Sequence, residues 1–139
     1  MIDKELIKML DSDDCRGVVR SADGKLKVFH RRSVADLFQL VTDAPDFLRG
    51  ASVADRVIGR GAALLMIKGG VSDVYARVIS SGALNALRDA GVSVSFGSEV
   101  PYIIDRAGTG VCPVEQLTAA ASSPDDAYTL IKSFLEKVV

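Results

Sequence analysis

The sequence predicts an α/β domain whose sheet combines an antiparallel hairpin with a parallel strand-helix-strand crossover. Residues 15–20 and 25–30 are expected to form two strands that flank the segment S21-A-D-G24, whose Asp-Gly pair favours a tight turn because Gly supplies a positive φ. Residues 73–79 and 92–96 alternate between the two faces of a strand around an apolar segment at helical spacing that ends at Gly91. A strand, a helix and a strand joined this closely are expected to form a right-handed parallel crossover.

Two further helices are predicted around the hairpin. Asp3 is placed to cap a short N-terminal helix, which the acidic run 11–14 interrupts. Ser33 is placed to cap a second helix, and residues 44–48 make a further turn. The apolar residues of the two stripes are Ile2, Leu6, Met9 and Leu10 in the first, and Val34, Leu37, Phe38 and Val41 in the second.

Residues 52–67 predict a buried helix. Ser52 followed three positions later by Asp55 has the spacing of a capping box, which satisfies the unpaired donors at a helix start. The stretch 62–67 is apolar on all sides, as in a core helix, and Gly69 with Gly70 ends it. The two glycines inside this segment, at 59 and 61, suggest that another backbone passes close by.

The C-terminal third predicts one extended segment and two helices. Residues 100–104 are expected to form an edge strand that tolerates Pro101, with a buried extended segment as the alternative. Pro113 after Cys112, with Glu115 at the third helical position, indicates a helix start. Residues 123–126 indicate the start of the last helix, which is expected to cover the sheet or a partner with Ala127, Ile131, Phe134 and Val138, and with Leu130 and Leu135 alongside.

Composition predicts one domain over residues 1–139 and argues against nucleic acid and membranes as partners. Nearly half of the 139 residues are apolar, and the formal net charge is −1, so no strong field attracts nucleic acid or an anionic membrane. Five Phe, three Tyr and no Trp give few stacking surfaces for single strands. Acidic residues near the N-terminus and the lack of a long apolar run favour a cytoplasmic protein. Cys15 and Cys112 are therefore expected to be reduced and unpaired.

The predicted order of helix, strand, helix and strand over residues 52–96 resembles the core of the cytidine deaminase-like fold. In that family a His-x-Glu or Cys-x-Glu motif opens one helix and Pro-Cys-x-x-Cys opens the next, and the two helix starts face each other across zinc. The resemblance implies a three-layer α/β/α domain with a mixed sheet. It also places Val53, Ser81 and Leu84 at the zinc-ligand positions, within V53-A-D55 and I79-S-S-G-A-L84. None of the three offers a thiolate, an imidazole or a carboxylate, so neither a metal nor a cofactor is expected.

The chain also resembles a small prokaryotic family of unknown function assigned to the deaminase-like superfamily. The segments that carry this resemblance are V53-A-D-R-V-I-G, V74-Y-A-R-V-I-S and V100-P-Y-I-I-D-R-A-G-T-G-V-C-P. They span most of the chain. This resemblance implies a fold and leaves the activity unnamed.

Two residues are candidates for catalysis. Asp55 falls where the deaminase acid-base glutamate belongs, although its place in the capping box also explains it. Cys112 stands at a predicted helix start, where the dipole favours a thiolate, but it also fits the role of a small buried hydrophobe. The only histidine, His30, ends a distant strand and offers no visible base for Cys112.

The candidate ligand site lies at the two helix starts that converge in the resembled fold. Without zinc, their N–H groups favour an anion, and we expect Ser80, Ser81 and Gly82 to contact it. Arg56 and Arg60, four residues apart on one predicted helical face, either supply countercharge or form a solvated face. Asp55 opposes an anion if its carboxylate points inward.

The leading functional prediction is a small-molecule binding or regulatory module for a nucleotide-like or phosphate-bearing ligand. Zinc-dependent deamination is not expected. Two alternatives stay open from the sequence. One is an enzyme of unknown reaction that uses Asp55 or Cys112, and the other is a structural subunit of a homo-oligomer.

Overall fold

A computed structural model describes residues 2–12, 15–30, 33–104, 108 and 110–137. Helices and strands alternate through most of this part of the chain. In order they are α1 (Lys4–Ser12), β1 (Gly17–Arg20), β2 (Leu26–Phe29), α2 (Ser33–Asp43), β3 (Ser52–Ile58), α3 (Arg60–Gly69), β4 (Asp73–Ser80), α4 (Ser81–Asp89), β5 (Ser93–Val100), α5 (Pro113–Thr118) and α6 (Pro124–Lys137).

The strands form one mixed sheet in the order β2-β1-β3-β4-β5. β1 is antiparallel to both β2 and β3, whereas β3, β4 and β5 are parallel to one another. The hairpin turn contains Gly24 with φ of 90°, as its Asp-Gly sequence requires. The predicted α/β class, the hairpin and the β4-α4-β5 crossover are confirmed.

Helices pack against both faces of the sheet. On one face α1 buries a small cluster that includes Leu6, Leu10, Val18 and Ala54. On the other face the larger cluster draws on α2, α3 and α4 and on apolar side chains of α5 and α6. The apolar centre of α3 lies in this larger cluster, where Leu65 and Met66 have no exposed surface. Alternate residues of β3 therefore serve two cores, since Val53 faces the larger cluster and Ala54 the smaller.

The helix predicted to start at Ser52 is wrong in its first half. Residues Ser52–Ile58 form the central strand, and the helix starts only at Arg60, after Gly59. Ser52 does not cap a helix, because its hydroxyl donates to Asp73 Oδ1 at 2.5 Å on the neighbouring strand. Strands on both sides pair with this segment, and such pairing outweighs the few tenths of a kcal/mol per residue that separate local preferences.

The prediction of a strand over residues 100–104 is also wrong. β5 is longer than its alternating sequence suggested and already ends at Val100. Beyond it, Ile104 forms an isolated antiparallel bridge with Val111. Most of the predicted loop over residues 105–110 lies outside the described residues.

The remaining helices agree with their sequence signals. Asp3 Oδ1 accepts the N–H of Glu5 at 2.9 Å at the start of α1, and Ser123 Oγ accepts that of Asp126 at 3.1 Å at the start of α6. Ala127 and Ile131 are buried in the predicted stripe of α6, while Val138 lies outside the described residues. Among the helices that the structure describes, none is both long and apolar enough to span a bilayer.

Candidate functional site

The starts of α3 and α4 lie side by side at the carboxyl ends of β3 and β4. The two strands are paired up to Ile58 and Ile79, so the residues that follow them emerge at the same end of the sheet. Gly59 precedes α3, and Ser80 caps α4 by accepting the N–H of Ala83 at 3.2 Å. A side chain added at Gly82 would meet Cδ of Arg60 at 3.3 Å. Two helix starts are thus adjacent, but the first of them is at Arg60 and not at Ser52.

A buried carboxylate occupies the junction between these helix starts. Glu115 of α5 is only 8% exposed. Its Oε1 accepts the backbone N–H of Arg60 at 2.6 Å and the hydroxyl of Ser80 at 3.3 Å, while Oε2 accepts the N–H of Ile103 at 2.8 Å. The unpaired donors and the partial positive charge of a helix start stabilise such an anion. The protein therefore places its own negative charge at the junction.

A second carboxylate lies at the start of α4. The hydroxyl of Ser81 donates to Glu99 Oε2 at 2.7 Å and approaches the carbonyl oxygen of Val100 at 3.4 Å. Glu99 is exposed near the end of β5, whereas Ser81 and Gly82 are half-buried. This outer carboxylate faces solvent, unlike Glu115.

The two arginines do not share a helical face, so that prediction is wrong. Arg56 belongs to β3 and donates through Nε to the carbonyl of Cys15 and through Nη2 to that of Leu10, each at 2.6 Å. Arg60 opens α3, and its guanidinium donates to the carbonyls of Thr118 and, at 2.8 Å, Ala121. Both cations bind backbone carbonyls near helix ends, where positive charge is stabilising, and the aliphatic part of Arg60 lies beside Gly82.

Asp55 is in the middle of β3 and not at a helix start. It is 1% exposed and faces the larger core, as do Val53 two residues earlier and its register partner Ala76. Its Oδ1 accepts the N–H of Val57 at 3.4 Å. The capping-box interpretation of Asp55 is therefore wrong, because the residue lies within a strand.

The cysteines and the histidine are dispersed. Cys112 precedes α5 and is half-buried against the larger core, and its side chain makes no capping bond. Cys15 packs in the smaller cluster on the opposite face of the sheet, so no disulfide joins the two. His30 is exposed at the end of β2. Within the described residues, no three His, Cys, Asp or Glu side chains lie close enough together to hold a metal ion.

At the opposite end of the strands, near the amino end of β3, a cleft of about 390 Å³ lies between the β1-β2 turn and the turn after α2. Its charged residues form two exposed ion pairs, Lys25 with Asp23 and Arg49 with Asp46. Ion pairs this exposed contribute little to the stability of the fold, and the opposite charges within each pair compensate each other. The helix-start junction is the stronger candidate site because its polar groups are buried and convergent.

Sequence reasoning missed the role of Glu115 and did not consider Glu99. Glu115 served only as a marker of the start of α5, since local spacing accounts for a carboxylate at that position. Its contact with Arg60 joins residues 55 apart, which no local pattern reveals. Gly59 offered a signal for this contact. It has no side chain that could accept the first N–H groups of α3, so a helix that starts there needs an acceptor from another part of the chain.

These features define an α/β domain with a mixed sheet and a carboxylate-filled junction of two helix starts. The family model that matches residues 5–135 is TM1506, a domain of unknown function also called DUF1893, and the chain belongs to this family. A solved structure of a DUF1893 family protein, TM1506 from Thermotoga maritima, has a similar fold. Its TM-score is 0.81 at 24% identity, and the match covers 96% of this chain and 92% of that chain. A comparison with curated proteins gives no match.

Proposed function

We propose that the protein is a small-molecule binding or regulatory module of the deaminase-like type, without zinc-dependent deaminase chemistry. The strand order, with an antiparallel hairpin beside three parallel strands, supports the deaminase-like assignment and its three-layer arrangement. Two helices start side by side at one sheet edge, which is where open α/β sheets bind their ligands. The ligand is nucleotide-like or phosphate-bearing and binds at Ser80, Ser81 and Gly82.

The observation that carries this proposal is the pair of carboxylates at the helix starts. Glu115 and Glu99 come from separate parts of the chain, and both accept hydrogen bonds from residues at these starts. Negative charge is thus favoured at this junction. The inner position belongs to Glu115, which is buried and fully engaged. The outer position is held by the exposed Glu99, which an incoming anion can displace.

A phosphate at the outer position contacts the groups at the beginning of α4. Ser81 and Gly82 are the first residues of α4, so their N–H groups have no acceptor within the helix. The hydroxyl of Ser81 already bonds Glu99 at this position, and Gly82 permits close approach. Ser80 supports the site indirectly, because its hydroxyl already bonds Glu115 and the N–H of Ala83. Competition with Glu99 limits the affinity, and we expect a dissociation constant on the order of a millimolar.

The test is calorimetric titration and thermal shift with inorganic phosphate, sulfate and nucleoside mono- and diphosphates. Ser81→Leu is expected to lose binding, because it removes the hydroxyl and fills the position. Glu99→Gln is expected to bind about two- to fivefold more tightly, since it removes an exposed like charge. Glu136→Gln, an exposed carboxylate on α6, is the matched control and leaves the affinity unchanged.

The outcomes separate the candidate functions. If neither the wild type nor Glu99→Gln is stabilised by any phosphorylated compound at millimolar concentration, the ligand proposal is wrong and the structural-subunit alternative gains. The enzyme alternative is tested through Cys112, the better nucleophile of its two candidates. A thiol of ordinary reactivity in titration followed by mass spectrometry removes that candidate.

A further inference from the structure

The three parallel strands share an irregularity at one level of the sheet. In the described residues, the register of β3 with β4 and that of β4 with β5 each skip one position. The skipped residues are Arg56 in β3, Arg77 in β4 and Gly97 in β5. Pairing resumes directly after them with the same offset between the strands, so the break crosses the sheet without a slip in register.

Side-chain alternation shifts by one residue across this break. In β4, Ala76 faces the larger core before the break, and strict alternation would continue with Val78. The core residue after the break is instead Ile79, which has no exposed surface. The same shift occurs in β3, where the core residues are Val53 before the break and Ile58 after it. Residues beyond the break are thus turned over relative to those before it.

In β5 the shift redirects Glu99. Val94 and Phe96 are half-buried against the larger core, so strict alternation would direct Glu99 to the face of the sheet that carries α1. Its Oε2 instead accepts the hydroxyl of Ser81 at 2.7 Å. Ser81 opens α4, whose apolar side chains belong to the larger core on the other face. The break therefore brings this carboxylate to the candidate ligand site.

Gly97 is the residue that permits the break in β5. A Cβ at this position would lie 2.7 Å from the carbonyl oxygen of Arg77, which is closer than a normal nonbonded contact. The hydroxyl of Ser98 approaches the same carbonyl at 3.5 Å. Because the oxygen belongs to the backbone, a side chain at position 97 would have to displace one strand from the other. Glycine in a strand often marks such a close approach of two backbones.

We infer that Gly97 is a positioning residue of the candidate site: it lets the break form, and the break holds Glu99 at the start of α4. Glu99 then acts as an internal competitor of a bound phosphate, so the affinity of the site is set from β5 as well as from α4. The competitor role rests on the proposed function. The placement of Glu99 by Gly97 does not, and it is measured without a ligand.

The first experiment follows the amide NMR signals of Ser81 and Gly82 in the ligand-free protein. Glu99→Gln is expected to shift both signals in the wild-type background, because it removes a charge beside them. In the Gly97→Ala background the same substitution should leave both signals in place, since Glu99 has then moved away. Gly110→Ala, whose Cβ would meet nothing within 4 Å, is the matched control and should keep the wild-type response.

The second experiment is titration of the same variants with inorganic phosphate. Gly97→Ala is expected to bind phosphate about two- to fivefold more tightly than the wild type, as Glu99→Gln does, because both remove the same exposed charge from the site. The double variant should bind no more tightly than either single variant. A purely structural effect of Gly97→Ala has the opposite sign, since a distorted start of α4 binds phosphate less well.

Three results would overturn the inference. One is an equal response of the two amides to Glu99→Gln in the wild-type and Gly97→Ala backgrounds. Another is a Gly97→Ala variant that binds phosphate more weakly than the wild type. The third is a set of nuclear Overhauser contacts in the wild type that places the Glu99 side chain on the α1 face, away from Ser81.

The outcomes stay distinguishable when one part fails. The nuclear Overhauser measurement needs only the wild type, so it decides the placement of Glu99 if Gly97→Ala does not fold. If no variant binds phosphate while the amide responses are as expected, the proposed function is wrong and the placement of Glu99 by Gly97 stands.

Discussion

Glu115 Oε1 accepts the backbone N–H of Arg60 at 2.6 Å, and this bond closes the start of α3 from 55 residues away. Gly59 has no side chain with which to cap that helix, so the acceptor comes from α5. The same carboxylate holds Ser80 and Ile103. One side chain thus joins two helix starts to the segment that follows β5.

Glu115→Gln is expected to lower the free energy of unfolding by about 1–3 kcal/mol. The amide has the same shape, but it lacks the negative charge and turns an NH2 group toward a donor. Denaturant unfolding followed by circular dichroism measures the change. Glu136→Gln, an exposed position, should stay within about 0.5 kcal/mol of the wild type. Equal midpoints for Glu115→Gln and the wild type would show that the junction does not depend on the carboxylate.

Arg56→Met is expected to loosen α1. The guanidinium donates to the carbonyls of Leu10 and Cys15, and hydrogen bonds from a charged donor are worth about 1.5–3 kcal/mol. Amide hydrogen exchange in α1 should be faster in Arg56→Met than in the wild type, while exchange in α4 should stay the same. The control is Arg88→Met, at an exposed position of α4. Exchange in α1 as slow as in the wild type would contradict the role assigned to Arg56.

Gly61→Ala is expected to destabilise the protein by about 1–3 kcal/mol through overpacking, although Ala is the better helix former by about 1 kcal/mol. A Cβ there would approach Cγ1 of Val114 at 2.5 Å. The close neighbour is thus a side chain of α5, where the sequence suggested a backbone. Thermal unfolding of Gly61→Ala beside Gly110→Ala, whose Cβ would meet nothing within 4 Å, isolates the contact. A raised melting temperature for Gly61→Ala would refute it.

Asp3 makes stability depend on pH at the acid end. The N–H of Glu5 and then the guanidinium of Arg20 hold the pKa of Asp3 below its usual 3.8. Because the folded pKa is the lower one, the stabilisation is present above pH 3.8 and is lost as the pH falls through the folded pKa. Asp3→Asn should therefore be less stable than the wild type at neutral pH and converge with it in acid. Asp89→Asn serves as the exposed control, and parallel pH profiles for Asp3→Asn and the wild type would contradict this linkage.

The purified protein is expected to contain no stoichiometric zinc. Of the three positions that the deaminase resemblance assigns to ligands, Val53 lies in β3, Ser81 opens α4 and Leu84 is buried in α4. None of these side chains binds zinc well. Elemental analysis of protein purified without chelators measures the content directly. One equivalent of zinc would refute this prediction, and cytidine and adenosine deamination should likewise be undetectable.

Local signals in the sequence determined much of the fold. The Asp23-Gly24 pair defined the hairpin, and the alternating segments on either side of α4 defined the parallel crossover. Caps at Asp3 and Ser123 marked helices that the structure contains. These features were predictable because their determining contacts span only a few residues.

Tertiary structure decided the role of Ser52–Ile58 and the composition of the candidate site. The Ser52 and Asp55 spacing fits a helix start, but the backbone of this segment bonds strands on both sides. Local preferences differ by tenths of a kcal/mol per residue, whereas leaving buried backbone groups unpaired in a sheet centre costs far more. The Glu115 and Arg60 contact likewise exists only after the chain has folded, because it joins residues that no period or motif relates.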